Sequence, residues 1–181
     1  MIAAAVVWLA LAVPATLPAA TDPARAAGNA LTACVKHAAA MAPIDAAHAA
    51  GMADSGLVYS VTPPAKLSSM RETGYGTASF AQAPSTEGEV WAVAYDRGTC
   101  MVMVLGTDVK PVEQRLAALF AIPGTWRVEP IAQPDPGARW TQYGWQANGH
   151  QLTAQVKIQP LPQTAVKGLV MATIAPDQKK N

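Results

Sequence analysis

Apolar residues recur at helical spacing in three segments of this chain. Within residues 26–41 an apolar stripe at i, i+3, i+4 and i+7 predicts a first helix; its members are Leu31, Cys34, Val35 and Ala38. Pro43 suits the first turn of a second short helix, which would end at Gly51. Asp108 can cap a third helix, and Pro123-Gly124 would end it. The spacing therefore predicts two N-terminal helices and one later helix.

The other apolar segments are short or alternate with polar residues, as strands do. Strands are predicted over 57–61, 75–82, 90–95, 100–105, 125–131, 139–147, 150–159 and 166–174. The strand 100–105 is apolar on both faces, which predicts a central position covered on both sides. The segment 63–72 opens with two prolines and is predicted to be a surface loop. The sum is an α+β fold, with N-terminal helices and one later helix packed on a mainly antiparallel sheet.

Asn148-Gly149 lies between two alternating runs and predicts a tight hairpin. Counting back from this turn pairs Trp140 with Lys157 and Gln142 with Gln155, on the face opposite the apolar row. An aromatic residue among amides on a polar sheet face is typical of a binding surface, so these four residues form a candidate binding surface. Trp140 could instead cover the sheet edge, or lie against Lys157 in a cation–π contact. A bulge near Gly144 could also turn Trp140 inward.

The first residues carry a long apolar run, 2–20, that is free of charge and interrupted by prolines near its end. Such a run favours a signal peptide, and Ala24-Arg25-Ala26 fits a cleavage site. The chain is then divided into a signal peptide at 1–26 and a single domain at 27–181. The mature protein is expected to be periplasmic or secreted, without a stable transmembrane span after processing. Val13-Pro14-Ala15 is an earlier alternative site, and an uncleaved membrane anchor is the alternative to cleavage.

The chain has two cysteines, Cys34 and Cys100, and in an exported protein an even count predicts a disulfide. The alternative comes from residues 31–34, whose sequence Leu-Thr-Ala-Cys has the form of a lipobox. Lipidation there would give an envelope lipoprotein anchored at Cys34 and would leave Cys100 unpaired. A catalytic thiol next to His37 is a third possibility, but the sequence offers no second base for it.

Composition excludes several function classes. Apolar residues make up 51% of the chain and charged residues 14%, which argues against disorder. Thirteen Lys and Arg stand against twelve Asp and Glu without a basic stripe, so no nucleic-acid partner is expected. The glycine-rich segment 74–79 lacks the spacing and context of a phosphate loop. The sequence therefore predicts no catalytic residue, no cofactor-binding residue and no metal ligand.

The order of these elements resembles an uncharacterised family of small exported bacterial proteins. The likeness rests on the helix that carries Cys34, the run from Trp91 to Val102 and the amphipathic helix near Leu116. It implies a Cys34–Cys100 bridge and an α+β fold, and it implies no activity. The functional hypothesis is a non-enzymatic binding protein whose partner is an envelope protein or a glycan. The alternative is an envelope hydrolase whose site would assemble only in the folded chain, and a deep cleft with a His150–carboxylate pair would favour it.

Overall fold

The computed structural model describes residues 17–40, 55–60, 65–131, 137–147, 150–159 and 168–176. The helical elements there are α1 (Pro23–Ala40), a 3-10 helix (Ala65–Met70) and α2 (Val109–Phe120). The strands are β1 (Val58–Ser60), β2 (Glu72–Thr73), β3 (Gly76–Ala83), β4 (Glu89–Tyr95), β5 (Cys100–Leu105), β6 (Arg127–Glu129), β7 (Arg139–Ala147), β8 (His150–Gln159) and β9 (Leu169–Pro176).

The α+β prediction is confirmed, with one correction to its helices. Two α-helices lie in the described ranges, one N-terminal and one later, where two N-terminal helices and one later helix were expected. The predicted second helix at 43–51 lies outside the described residues. The surface loop predicted over 63–72 is wrong in its described part, which forms the 3-10 helix and β2. Leu67 explains this difference because it is 2% exposed and anchors the 3-10 helix to the sheet.

The strands form one antiparallel sheet in the order β1-β3-β4-β5-β9-β8-β7-β6, and β2 adds to β3. The last strand, β9, enters between β5 and β8 and so joins an N-terminal group of strands to the β7–β8 hairpin. The predicted hairpin register is confirmed: Ala147 pairs with His150, and pairing continues without a break to Arg139 and Ile158.

One face of the sheet is covered by α1 and α2, and the main core lies between. The Asp108 carboxylate caps α2 by accepting a hydrogen bond from the Lys110 amide at 3.1 Å, as predicted. Val112, Leu116 and Phe120 then point into the core. Neither helix has the length and apolarity that crossing a bilayer would need, as far as the described residues extend.

The predicted disulfide is present and joins α1 to β5. Cys34 and Cys100 are both fully buried, with Cα atoms 5.2 Å apart. The bridge ties the helical layer to a central strand, so the two layers of the domain are covalently linked.

The first turn of α1 begins earlier than its apolar stripe predicts. The Asp22 carboxylate accepts a hydrogen bond from the Arg25 amide at 2.9 Å, which is the arrangement of a helix N-cap. Immediately before it, Thr21 exchanges backbone hydrogen bonds with Pro84 and Thr86, at 3.0 and 2.8 Å. Residues 21–26 are therefore built into the folded domain.

The other face of the sheet, which we call the distal face, carries a smaller second core. The 3-10 helix places Leu67 against Phe80 of β3 and against Val93 and Tyr95 of β4. Met101 of β5 joins this cluster, whereas Val102, the next residue along the strand, points to the helices. The prediction that β5 is central and apolar on both sides is confirmed.

Candidate functional site

The four residues of the predicted binding surface lie together on the distal face. The β7–β8 register pairs Trp140 with Lys157 and Gln142 with Gln155, as the turn predicted. All four side chains are partly buried. Since the register is regular through Gly144, the alternative of a bulge that turns Trp140 inward is wrong.

Two kinds of contact connect these side chains. The Lys157 Nζ lies 5.3 Å from the centre of the Trp140 ring, a cation–π distance. Gln155 Nε2 donates to Gln142 Oε1 at 3.0 Å, and Gln142 Nε2 donates to the Glu129 carboxylate at 3.0 Å. The amides thus form a hydrogen-bonded ladder across β8, β7 and β6, beside a stacked cation and indole.

Apolar side chains continue the Trp140 row across the sheet. Lys157 pairs with Met171 of β9, which pairs with Met103 of β5, and Met103 pairs with Trp91 of β4. Both methionines are partly buried against the second core. We call Met103, Met171, Trp140, Lys157, Gln142 and Gln155 together the Trp140 surface.

The side chains of the Trp140 surface offer three kinds of contact. Indole and thioether groups offer apolar contact, the amides offer donors and acceptors, and Lys157 offers a positive charge. The six side chains include no hydroxyl, thiol or carboxylate group.

Cys34 and His37 both lie near the end of β4, but they do not form a pair of a free thiol and a base. The sulfur of Cys34 is bonded to Cys100, so it is not a free thiol in this structure. His37 is 1% exposed, and its Nε2 donates to the Tyr95 carbonyl oxygen at 3.0 Å. Burial lowers the pKa of His37, although hydrogen bonds with the backbone of Tyr95 and Thr99 oppose the shift. His37 is therefore a neutral donor that ties α1 to the sheet.

A second region, on the helix-covered face, was not identified from the sequence. Phe120 at the end of α2 stacks on Tyr143 with ring centres 4.3 Å apart, and the Trp126 ring meets Phe120 edge-on at 5.1 Å. Trp126 also contacts Trp145, with centres 5.3 Å apart. Since the turn places Trp140 and Gln142 on the distal face, alternation along β7 puts Tyr143 and Trp145 on this face, but it gives no indication of what surrounds them.

Two adjoining cavities flank this aromatic cluster, and both are lined by Thr125 and Trp145. The first, about 280 Å³, is polar and includes Arg127, Glu129 and Gln151, which lie on the distal face because they pair with Gly144, Gln142 and Gln146. The second, about 190 Å³, lies between the helices and the loop that follows α2, and its wall is mainly apolar. No local sequence signal marks this region, because Trp126 and Trp145 lie on different elements and meet only in the folded chain.

The remaining candidate groups do not assemble into a site in the described ranges. His48 lies outside those ranges, and the structure does not describe the side chain of His150, so the His150–carboxylate pair stays a prediction. Within the same ranges no three His, Cys, Asp or Glu side chains cluster as a metal site would require.

Comparison of the chain with protein-family models, with curated proteins and with solved structures found no match.

Proposed function

We propose that this chain is an exported, non-enzymatic protein that binds another protein of the cell envelope through the Trp140 surface. The observation that carries this proposal is a single row of partly exposed side chains across four strands, with the amide ladder along one side; its order is Met103, Met171, Lys157 and Trp140. Tryptophan and methionine are enriched in the centres of protein interfaces, and polar groups form the rim. A protein partner fits this arrangement better than a glycan, because two thioethers in the same row as the indole favour apolar contact.

The internal contacts of this surface favour binding of a partner without large rearrangement. Lys157 is held over the Trp140 ring, and Gln142 is bonded on both sides, to Gln155 and to Glu129. Side chains that are already ordered lose less conformational entropy when a partner binds. The surface is also built on strands rather than loops, which fixes the spacing of its groups.

Export is supported by the disulfide and by the apolar segment at 2–20. Disulfides persist in oxidising compartments and are rare in the cytosol. The early turn of α1 supports removal of the leader at Val13-Pro14-Ala15, since a cut after Ala26 would divide a helix whose first turn is packed in the domain. The mature protein would then begin at Thr16.

The test compares binding by the intact protein and by two variants. Trp140→Ala removes the indole of the Trp140 surface, and Val128→Ala removes a side chain that is 73% exposed on the other face of the sheet. Each protein is immobilised, exposed to a bacterial envelope fraction and cross-linked, and each is checked for folding by urea titration. One defined partner should be recovered with the original protein and with Val128→Ala, and Trp140→Ala should lower its yield about tenfold or more.

Two results would count against this proposal. Equal recovery of the partner by the Trp140→Ala variant would show that the surface is not the interface. Soluble glycan fragments could instead bind the intact protein in a saturable way and fail to bind the Trp140→Ala variant. That result would identify a glycan, and not a protein, as the ligand of this surface. Intact-mass measurement of the envelope-derived protein addresses the lipoprotein alternative, which requires added lipid mass on a product that starts at Cys34.

A further inference from the structure

We propose that the apolar cavity near Trp126 and Trp145 is a second binding site, for a small acid that carries a single aromatic ring. The cavity lies on the helix-covered side of the sheet, whereas the Trp140 surface lies on the distal face. The proposal is therefore independent of the proposed protein partner.

The cavity opens to solvent, since Thr32, Lys36 and Ile122 on its wall are exposed. It measures about 190 Å³ and borders side chains that pack against the main core, among them Val35 and Leu119. A volume of about 150 Å³ is enough to admit benzene. The space here accommodates one ring and a short chain.

The wall of the cavity favours an aromatic occupant. Trp126 and Trp145 both line it, with ring centres 5.3 Å apart at a tilted angle. Both indoles are partly buried, so each keeps some accessible surface. Aromatic rings gain from edge-to-face or offset contact with other rings beyond their burial alone.

One positive charge indicates the polar end of the occupant. Of the described side chains around the cavity, Lys36 alone carries a charge, and no carboxylate joins it there. The two hydroxyl groups are already used, since Thr32 donates to the Gly28 carbonyl at 2.9 Å and Thr125 to the Ile122 carbonyl at 2.6 Å. Because Lys36 is exposed at the margin, a carboxylate could meet its ammonium group while the ring enters the cavity.

The experiment is a titration of the intact protein with 3-phenylpropanoate, followed by the indole N–H signals in NMR spectra. Trp126→Phe and Trp145→Phe assign the two signals of the cavity. We expect these two signals to shift in a saturable way, with a Kd of about a millimolar or tighter. The indole signals of Trp91 and Trp140, on the other face, should stay in place.

The role of the charge is tested with an uncharged probe and a matched pair of variants. Lys36→Met should weaken 3-phenylpropanoate binding by up to about fivefold and leave 3-phenylpropanol binding unchanged. Lys110→Met is the control, since Lys110 lies about 13 Å along α2 from Leu119 at a rise of about 1.5 Å per residue. Val35→Phe, which fills the cavity, should abolish binding of both probes.

Three outcomes would overturn the inference. The cavity signals could stay fixed up to about 10 mM probe, well above the expected Kd. The acid and the alcohol could bind equally to the original protein, which would refute carboxylate recognition. Binding that survives Val35→Phe, in a variant that still unfolds cooperatively, would place the probe elsewhere.

Discussion

Removal of the first turn of α1 separates the two cleavage sites that the sequence allows. A protein that starts at Ala27 lacks the Asp22 cap and the backbone hydrogen bonds between Thr21 and the loop after β3. A protein that starts at Thr16 keeps both. Ala27 itself is 0% exposed. A cut after Ala26 therefore places a new ammonium group at a packed helix N-terminus.

The size of the effect follows from these contacts. Loss of an N-cap costs about 1 kcal/mol, and each of the two backbone hydrogen bonds of Thr21 contributes about 1 kcal/mol net. A positive charge at a helix N-terminus adds about 0.5 kcal/mol, because it opposes the helix dipole. The ordering entropy of the removed residues offsets part of this sum, so we expect the free energy of unfolding to fall by about 2 kcal/mol.

Urea titration of three forms, 16–181, 21–181 and 27–181, measures this difference. The form that starts at Thr21 is the control, since it keeps the cap and the pairing and should match the longest form within about 0.5 kcal/mol. Equal stability of the forms that start at Thr16 and at Ala27 would refute the reasoning, because the first turn would then contribute nothing. The intact mass of the envelope-derived protein should identify Thr16 as the native start.

Two further predictions concern the contacts between α1 and the sheet. The double variant Cys34→Ala, Cys100→Ala should lose about 4 kcal/mol of stability, since the bridge closes a loop with a sequence separation of 66 residues; urea titration should show this, and a change below about 1 kcal/mol would contradict it. His37 is held neutral in the folded protein, so protons bind preferentially to the unfolded chain as the pH falls below the ordinary value of 6.5. Stability should therefore fall from pH 7.5 towards the lowered folded pKa, at no more than about 1.4 kcal/mol per pH unit, and His37→Gln should remove that part of the slope. An unchanged slope in the variant would show that His37 titrates equally in both states.

The strand pattern was predictable where local signals agree. Alternation assigned the two faces of β8, and the Asn148-Gly149 turn set the register that brings Trp140 beside Lys157. The cap at Asp108 was predictable for the same reason, because an N-cap depends on residues next to it in sequence. These features require no knowledge of distant parts of the chain.

Other features depend on contacts between distant segments and could not be predicted in this way. Nothing in the composition of β9 indicates that it enters between β5 and β8. The 3-10 helix is held to the distal face by Leu67, which is buried in the same cluster as Phe80. A single apolar residue produces no periodic signal in the sequence. The start of α1 was missed because Thr21, the residue before its cap, is held by the loop after β3, far along the chain.

The apolar cavity shows most clearly what a periodic pattern leaves out. Alternation assigns Tyr143 and Trp145 to the same face of β7, and both residues face the helices. Phe120 is the last residue of α2, and its ring stacks on Tyr143. Trp145 lies about 7 Å further along the strand, beyond the end of the helix. Its only aromatic contact in the described structure is Trp126, from the loop that follows α2. The strand itself determines which face of the sheet a residue such as Trp145 occupies. The side chains that pack over that residue depend on where a distant helix ends. The cavity beyond the end of α2 is where we expect the ligand to bind.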